Sequence, residues 1–195
     1  SIHTATPSDI NDIVCIENEA WPSDGSLTAT KDKFDIRIKN GLILLARKND
    51  EAVGIISYQK PSWTNYAIVS EIFESCPKDW NYITQKFKFP KDWHEATNDG
   101  WIEKNGLSTH SNNSDVMFLI GVAVPPAYRG HKLVDKMIQA SLQKAKKDGI
   151  PFVVGYGRLP AYHKHTEVPA EEYTKWEKED THLPYDYGLR FHVRN

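Results

Sequence analysis

The sequence predicts a mixed α/β domain, of the α+β kind, in which a central sheet is flanked by helices. Two observations lead to this prediction. Two strand-like runs joined by polar residues lie at 42–59, and an apolar run, a helical pattern and a second apolar run follow between 116 and 157. A hairpin supplies antiparallel strands, whereas a β-α-β unit supplies parallel strands. A sheet that contains both is therefore mixed.

Length and composition limit the class of protein. The 195 residues are enough for one domain of ordinary size, and the formal net charge of −2 gives no basic excess that would indicate nucleic acid or an anionic membrane as a partner. Cys15 and Cys76 fit neither a disulfide framework nor a four-ligand zinc pattern. No apolar run has the length of a membrane span or a signal peptide. We therefore expect a cytoplasmic protein.

The N-terminal part predicts a short strand, "IHTA", and then two helices. Thr6 can cap a first helix that has a proline in its first turn and runs to about Trp21. A second amphipathic helix is predicted from Leu27, and it ends at Asn40-Gly41, where a left-handed residue commonly terminates a helix.

A hairpin and an insertion follow the two helices. The runs "LILLAR" and "AVGIISYQ" flank the polar stretch 48–51, which predicts an antiparallel hairpin. Residues 61–115 contain four of the six tryptophans among many polar residues, without a long period. We interpret this segment as an aromatic-rich insertion with some helix. It is either a lid that shapes an acceptor pocket or a small separate core.

The stretch from 116 to 157 predicts a β-α-β unit. The run "VMFLIGVAV" is almost entirely apolar, as expected for a strand buried on both faces, and we expect it to be the central strand. The helix after it has an apolar stripe, lysines in its last turn and Gly149 just beyond its end. The run "IPFVVGYG" predicts the second buried strand. The turn between the first strand and the helix lies where ligands of open α/β sheets usually bind.

That turn, "VPPAYRGHKL", has the composition of an anion site. The first amides of a helix lack intrahelical partners and carry the positive end of the helix dipole. Arg129, His131 and Lys132 add positive charge, and Gly130 allows the backbone to approach a ligand closely. The turn therefore predicts phosphate binding. A solvated basic surface remains the alternative.

The order of elements and the stretch "VAVPPAYRGHKL" resemble the GNAT superfamily of acyltransferases, which use acetyl-CoA or another acyl-CoA as co-substrate. The likeness covers most of residues 1–192, apart from the insertion, and implies that residues 1–195 form a single domain. In that family an Arg/Gln-x-x-Gly-x-Gly/Ala motif wraps the pyrophosphate. Arg129 matches its first position, whereas Lys132 and Val134 replace its two small residues, and the Val134 side chain is expected to crowd the cofactor. The resemblance implies a CoA site at Val122, Val124, Arg129, Gly130, His131, Lys132 and Leu133.

The C-terminal third is similar to one GNAT subgroup. It contains "GYGRLPAYHKH", an acidic helical run "PAEEYTKWEKE", and then "GLRFHVRN". In that subgroup an Arg-Phe-His segment follows the last helix, and its members include nitrilase-linked domains and loading domains of polyketide synthases. A complete fold of this kind has a further pair of strands after the segment. Either the C-terminal strands are missing from a chain that ends at Asn195, or the fold closes differently.

Acyl transfer from a thioester to an amine requires an unprotonated nucleophile, donors for the oxyanion and a proton for the thiolate. The resemblance implies that main-chain amides at 122–124 polarise the thioester carbonyl. His192 is the candidate base because the ordinary histidine pKa is ~6.5. Tyr162 is the candidate acid, since many family members have a tyrosine at about this place. A surface or core histidine and a packing tyrosine are the alternatives.

Two further residues are candidates for binding the substrate. Arg158 can hold an acidic acceptor or a carboxylated acyl group, although a structural ion pair is the commoner use of such an arginine. Trp21 can line the acyl or acceptor pocket, as a tryptophan does at a similar place in the loading-domain relatives, or it can belong to the core. The histidines at 163, 165, 182 and 192 lack the spacing of known metal sites, so no metal site is expected.

The sequence favours an acyl-CoA-dependent N-acyltransferase that transfers an acetyl group from acetyl-CoA to the amine of a small molecule or a protein. Two alternatives stay open. One is a catalytically degenerate GNAT-fold module that only binds CoA. The other is an acyltransferase directed to a carrier protein, or a decarboxylating one.

Overall fold

The computed structural model describes residues 1–21, 28–75, 80–130 and 132–194. These residues fall into two compact units, Ser1–Gly155 and Tyr156–Asn195. The first unit contains the sheet and the predicted anion-binding turn. The described part of the second unit contains turns, one 3-10 helix and two short α-helices.

The elements of the first unit alternate as the sequence predicts. Its strands are β1 (Ile2–Thr4), β2 (Ile43–Lys48), β3 (Glu51–Gln59), β4 (Glu103–Lys104), β5 (Leu107–Ser108), β6 (Val116–Ala123) and β7 (Phe152–Gly155). Its helices are α1 (Ile10–Ala20), α2 (Lys31–Lys39), α3 (Tyr66–Ser75), α4 (Trp80–Phe87), α5 (Trp93–Thr97) and α6 (Leu133–Lys147). The second unit contains α7 (Ala170–Tyr173) and α8 (Tyr187–Arg194).

Five of the strands form one mixed sheet in the order β1-β2-β3-β6-β7. The pairs from β1 to β6 are antiparallel, whereas β6 and β7 are parallel and are joined by α6. The predicted mixed sheet flanked by helices is therefore confirmed. The expectation that β6 is the central strand was wrong, because β3 lies in the middle. Burial on both faces did not distinguish the two strands, since β3 is buried continuously from Val53 to Gln59.

The predicted hairpin is formed by β2 and β3. Its two turn residues, Asn49 and Asp50, have φ values of 48° and 66°. Left-handed backbone at both central positions is the geometry whose twist matches that of the flanking strands, and Asn and Asp adopt it more readily than other non-glycine residues. The polar turn therefore sets the register of the hairpin.

Helices cover both faces of the sheet. On one face, Ile13 of α1 and Phe34 of α2 pack in a buried cluster that includes Ile55. Side chains alternate along a strand, so the neighbouring Gly54 belongs to the opposite face. There α6 comes so close that a Cβ on Gly54 would lie 3.0 Å from the Met137 sulfur. The sheet is thus the middle layer of the first unit.

The insertion at 61–115 contains α3, α4, α5 and the small β4–β5 hairpin. The Trp63 ring lies edge-on to Phe89 and to Phe118 of β6, with centroid distances of 4.7 and 5.4 Å. Its indole N–H donates to the Ala96 carbonyl of α5 at 2.9 Å. The described part of the insertion therefore packs against β6 through Trp63.

Several helix boundaries differ from the predicted ones. Pro7–Asp9 form a 3-10 turn, so α1 begins only at Ile10, and it ends one residue before Trp21. The helix α2 begins at Lys31, and its predicted start at Leu27 lies outside the described residues. Thr6 nevertheless lies at the start of this helical segment, and the Asp9 carboxylate accepts hydrogen bonds from the Thr6 N–H and hydroxyl at 2.8 Å each.

Two expectations for the C-terminal third were wrong. The acidic run is helical only over Ala170–Tyr173, because Tyr173 and Trp176 turn inward to pack against Tyr185 and His165. The Arg-Phe-His segment does not follow the last helix but lies within α8.

Asp186 organises the second unit. One carboxylate oxygen accepts the N–H groups of Gly188 and Leu189 at 2.8 and 3.1 Å, which caps the start of α8. The other accepts the Ala161 N–H at 3.0 Å and the Tyr173 hydroxyl at 3.1 Å. Burial opposes ionisation of Asp186, but these hydrogen bonds outweigh it and lower its pKa. A single carboxylate therefore connects three segments of this unit.

We expect Asp9 to make the stability of the first unit depend on pH. Burial raises its pKa, but hydrogen bonds from Thr6 and Arg47 outweigh burial and lower the pKa to about 2, from an ordinary 3.8. The folded pKa lies below the unfolded one, so the contribution is complete above pH ~4 and is lost as the pH falls through ~2. The difference in unfolding free energy between the native chain and Asp9→Asn should shrink by about 1–2 kcal/mol over that range in urea titrations. A difference that does not change with pH would contradict this assignment.

Candidate functional site

The strands β6 and β7 part near the middle of β6. Their parallel pairing runs from Val116↔Phe152 to Leu119↔Gly155, where β7 ends. The strand β6 continues through Ile120–Ala123 while it remains paired with β3. One edge of β6 is therefore no longer covered by β7.

Main-chain groups of Val122 are directed to that edge. The Tyr58 N–H donates to the Leu42 carbonyl, so the main-chain N–H and C=O of Tyr58 point toward β2. The main-chain groups of the preceding residue, Ser57, point toward β6, where Ser57 pairs with Gly121. The N–H and C=O of successive strand residues point to opposite sides. Because Gly121 faces β3, Val122 presents its N–H and C=O to the side on which β7 has already ended.

A β-bulge lies at the start of this edge. Ser57 pairs with Gly121 but Tyr58 pairs with Leu119, so Ile120 is the extra residue of β6. The Gly121 N–H faces β3, and in a planar trans peptide the Ile120 carbonyl points the opposite way. That carbonyl accepts the indole N–H of Trp93 at 2.7 Å. Trp93 therefore occupies the first position beyond the β6–β7 pairing.

Arg129 closes the other end of the edge. Its Nε donates to the Val124 carbonyl at 3.1 Å, and one terminal nitrogen donates to the Ala20 carbonyl at 2.9 Å. Ala20 is the last residue of α1, so this bond satisfies a carbonyl left over at a helix end. Trp21 follows directly and is 37% exposed. The structure thus brings Trp21 to the turn. We call the stretch from Ile120 of β6 to Val124, the residue just after this strand, the open edge.

The turn after the open edge contains strained backbone. Gly130 and Lys132 have φ values of 82° and 54°, and both residues are exposed. Lys132 is the N-cap residue of α6, and its side chain supplies no capping hydrogen bond. A lysine in left-handed backbone costs roughly 1 kcal/mol or more, and such strain is concentrated at functional sites. Leu133 begins α6, the Val134 side chain is half-buried, and His131 lies outside the described residues.

The remaining candidate residues belong to the second unit. Arg158 is exposed. Tyr162 is half-buried, and its hydroxyl donates to the Val168 carbonyl at 2.8 Å. His192 lies in α8, and its side chain is outside the described part of the chain. Apart from His131, the residues predicted to bind the cofactor lie in the first unit, and those predicted for proton transfer lie in the second.

The histidines of the second unit make local contacts. His163 lies 2.8 Å from the Pro160 carbonyl, and His182 lies 3.5 Å from a carboxylate oxygen of Glu177. Over the four described ranges, three or more His, Cys, Asp or Glu side chains nowhere converge in a way that could hold a metal ion. In the same ranges, every helix is too short or too polar to cross a bilayer.

Comparison with known proteins identifies the fold. A model of the acetyltransferase (GNAT) domain matches residues 105–165, which include β6, the turn and α6. The loading GNAT-like domain of CurA from Lyngbya majuscula superposes on 100% of this chain and 82% of its own, with a TM-score of 0.70 and 18% identity. The GphF GNAT-like decarboxylase in complex with isobutyryl-CoA superposes on 100% of this chain and 84% of its own, with a TM-score of 0.63 and 18% identity. The chain has a GNAT-like fold.

A curated relative matches part of the chain in sequence. The probable hydrolase YhcX of Bacillus subtilis (strain 168) is 32% identical over 104 residues, which are 53% of this chain and 19% of that protein. The chain thus spans about a fifth of the length of this relative. Within the GNAT-like fold, the open edge and the turn lie inside the segment that the domain model matches.

Sequence reasoning missed Trp93. It identified the aromatic insertion but could not select one of its four tryptophans, because their spacing has no period that relates them to β6. The only local signal is Asp92, whose carboxylate accepts the Glu95 N–H at 2.9 Å and starts α5 at Trp93.

We expect Arg129 to stabilise the folded chain even without a ligand, because its guanidinium holds two main-chain carbonyls. Arg129→Ala should lower the free energy of unfolding by about 1–2 kcal/mol in urea denaturation of the unliganded protein. Lys136→Ala, an exposed lysine on the first turn of α6, is the control and should change it by less than ~0.5 kcal/mol. Equal stabilities for Arg129→Ala and the native chain would show that the two bonds contribute nothing to folding.

Proposed function

We propose that this chain is an acyl-CoA-dependent acyltransferase that binds the thioester arm of acyl-CoA along the open edge and the pyrophosphate at the first turn of α6. One observation carries the proposal: Val122 directs its N–H and C=O to a side from which β7 has withdrawn. The match of 105–165 to an acetyltransferase domain supports it.

The chemistry of the open edge suits an extended amide ligand. The pantetheine arm of CoA has two amide groups, which can pair with strand main chain as an added strand does. Main-chain N–H groups held by the fold also stabilise an oxyanion without having to reorganise during the reaction. The residues proposed for CoA binding are Val122, Val124, Arg129, Gly130, His131, Lys132 and Leu133.

The first candidate acceptor is an amine of a small molecule or a protein, with acetyl-CoA as donor. The side chains of β6 include no titratable group, so an amine acceptor requires a base from elsewhere. We propose His192 as that base and Tyr162 as the acid that protonates the thiolate. Arg158 and Trp21 are proposed to contact the acyl group or the acceptor.

The second candidate is transfer to a carrier-protein thiol, or decarboxylation of the acyl group. It is favoured by the two structures that superpose on the full chain, a loading domain and a decarboxylase. It also places less demand on a base, because the ordinary pKa of a thiol is ~8.5 and that of a lysine amine is ~10.4.

Lys132 allows a test of the anion site that leaves the fold intact. Glycine adopts left-handed backbone without strain, so Lys132→Gly removes the charge and relieves the backbone at once. We expect about a three- to tenfold weaker CoA affinity in calorimetry, from the loss of one phosphate contact, while the free energy of unfolding is unchanged or rises. Lys147→Ala, at the far end of α6, is the control and should bind CoA as the native chain does. Unchanged affinity in Lys132→Gly would remove Lys132 from the site.

The acceptor can be assigned by product analysis. Acetyl-CoA and malonyl-CoA are incubated separately with a panel of amines and with pantetheine, a mimic of a carrier thiol. Formation of an amide with release of CoA supports the first candidate, and formation of acyl-pantetheine or CO₂ supports the second. Tight CoA binding without any product would leave only a CoA-binding module.

We expect His192→Ala to lower turnover of the productive pair at least about tenfold, since general base catalysis typically contributes about 10²–10⁴-fold. Its CoA affinity should stay within about twofold of the native value, because the histidine acts on the acceptor. Unchanged turnover would exclude His192 from the mechanism.

A further inference from the structure

We propose that Trp93 is a positioning residue whose indole N–H fixes the bulged Ile120–Gly121 peptide, so that the next amide, that of Val122, faces the thioester carbonyl. The inference rests on the proposed function, because the thioester is the group that the Val122 amide would meet. It assigns a role in the site to the aromatic insertion.

The hydrogen bond from Trp93 acts on the Ile120–Gly121 peptide, which the strands of the sheet hold on one side only. The Ile120 carbonyl points away from β3, and β7 has ended at Gly155, so it receives no strand partner on that side. Trp93 supplies the donor at 2.7 Å. A bulged residue leaves the local pairing disrupted, and a fixed donor restricts the orientation that its peptide can take. Rotation of this peptide would also turn the backbone of Val122.

The surroundings of Trp93 hold the indole ring in place. A Cβ on Gly100 would lie 3.0 Å from the Trp93 ring and 2.9 Å from a terminal nitrogen of Arg37, so the ring, the loop and the guanidinium are in close contact. Arg37, which is 4% exposed, donates from that nitrogen to the Gly100 carbonyl at 2.5 Å. The loop itself has left-handed backbone at Asn98, Asp99 and Gly100. Such strain persists only where the surrounding contacts fix the conformation.

The same insertion offers a matched comparison. Trp63 also donates its indole N–H to a main-chain carbonyl, that of Ala96 at 2.9 Å, but this carbonyl belongs to α5 and not to β6. The Ala96 carbonyl also accepts a hydrogen bond from the side-chain amide of Gln59 at 2.7 Å, so it keeps a partner when the indole N–H is removed. Phenylalanine retains one aromatic ring at either position and removes the N–H together with part of the indole, and this loss of volume is the same in both variants. The two variants therefore separate the bond at β6 from the general packing of the insertion.

The test measures affinity for two ligands that differ only in the acyl group. Acetyl-CoA and CoA are titrated by calorimetry into the native chain, Trp93→Phe and Trp63→Phe. The net contribution of one hydrogen bond predicts about a two- to tenfold loss of acetyl-CoA affinity in Trp93→Phe. CoA affinity should stay within about twofold, and Trp63→Phe should resemble the native chain with both ligands. Equal losses for acetyl-CoA and CoA, or equal behaviour of the two variants, would overturn the inference.

Hydrogen exchange in the unliganded proteins tests the main-chain part independently of acyl-CoA. The amides of Gly121 and Val122 should exchange faster in Trp93→Phe than in Trp63→Phe, because local opening of the bulge becomes easier. Equal exchange overturns the inference whether or not acyl-CoA binds. If the native chain binds neither ligand while exchange differs as expected, the proposed function fails and the control of this peptide by Trp93 stands.

Discussion

A strand that is paired on only one side leaves the N–H and C=O of every second residue without a strand partner, and this requirement shapes the region around β6. At Ile120 the carbonyl accepts an indole N–H from the insertion, and at Val124 it accepts a guanidinium N–H from the following turn. Between them lies Val122, whose groups face the same side. Two side chains thus bound the open edge, Trp93 at one end and Arg129 at the other.

The elements that surround this edge are linked to one another through main-chain carbonyls. Arg129 connects the turn to the end of α1, and Arg37 connects α2 to the loop that supports Trp93. Burial is the main cause of a lowered pKa for Arg37, to about 10, although Glu17 attracts its charge. Burial also raises the pKa of Glu17. Opposite charges buried on neighbouring helices are tolerated because each makes a main-chain hydrogen bond, Arg37 to Gly100 and Glu17 with the Ala29 N–H at 2.9 Å.

The sequence was sufficient to predict those features that depend on local chemistry. The turn at Asn49-Asp50, the apolar stripe of α6 and the parallel β6–β7 pair follow from residue type and spacing. Features that depend on contacts between distant segments could not be predicted in this way. Motif likeness predicted a role in the site for Arg129, but it did not predict the two carbonyls that the guanidinium binds, one of them 109 residues away. Trp93 reaches a carbonyl 27 residues away, and no periodicity relates the two positions. The Arg-Phe-His segment was misplaced because likeness to a subgroup gave its order along the chain, while the cap at Asp186 makes it helical.

The division of the candidate residues between the two units bears on the choice of acceptor. In the proposed acyl-CoA site, β6 can activate a thioester only through main-chain groups, since its side chains include no acid or base. Such activation is the same whether the acyl group moves to an amine, moves to a thiol or loses CO₂, because in each case charge develops on the thioester oxygen. The groups that distinguish these reactions must therefore lie outside the open edge. The choice of acceptor therefore depends on groups such as those proposed at Arg158, Tyr162 and His192, which lie outside β6.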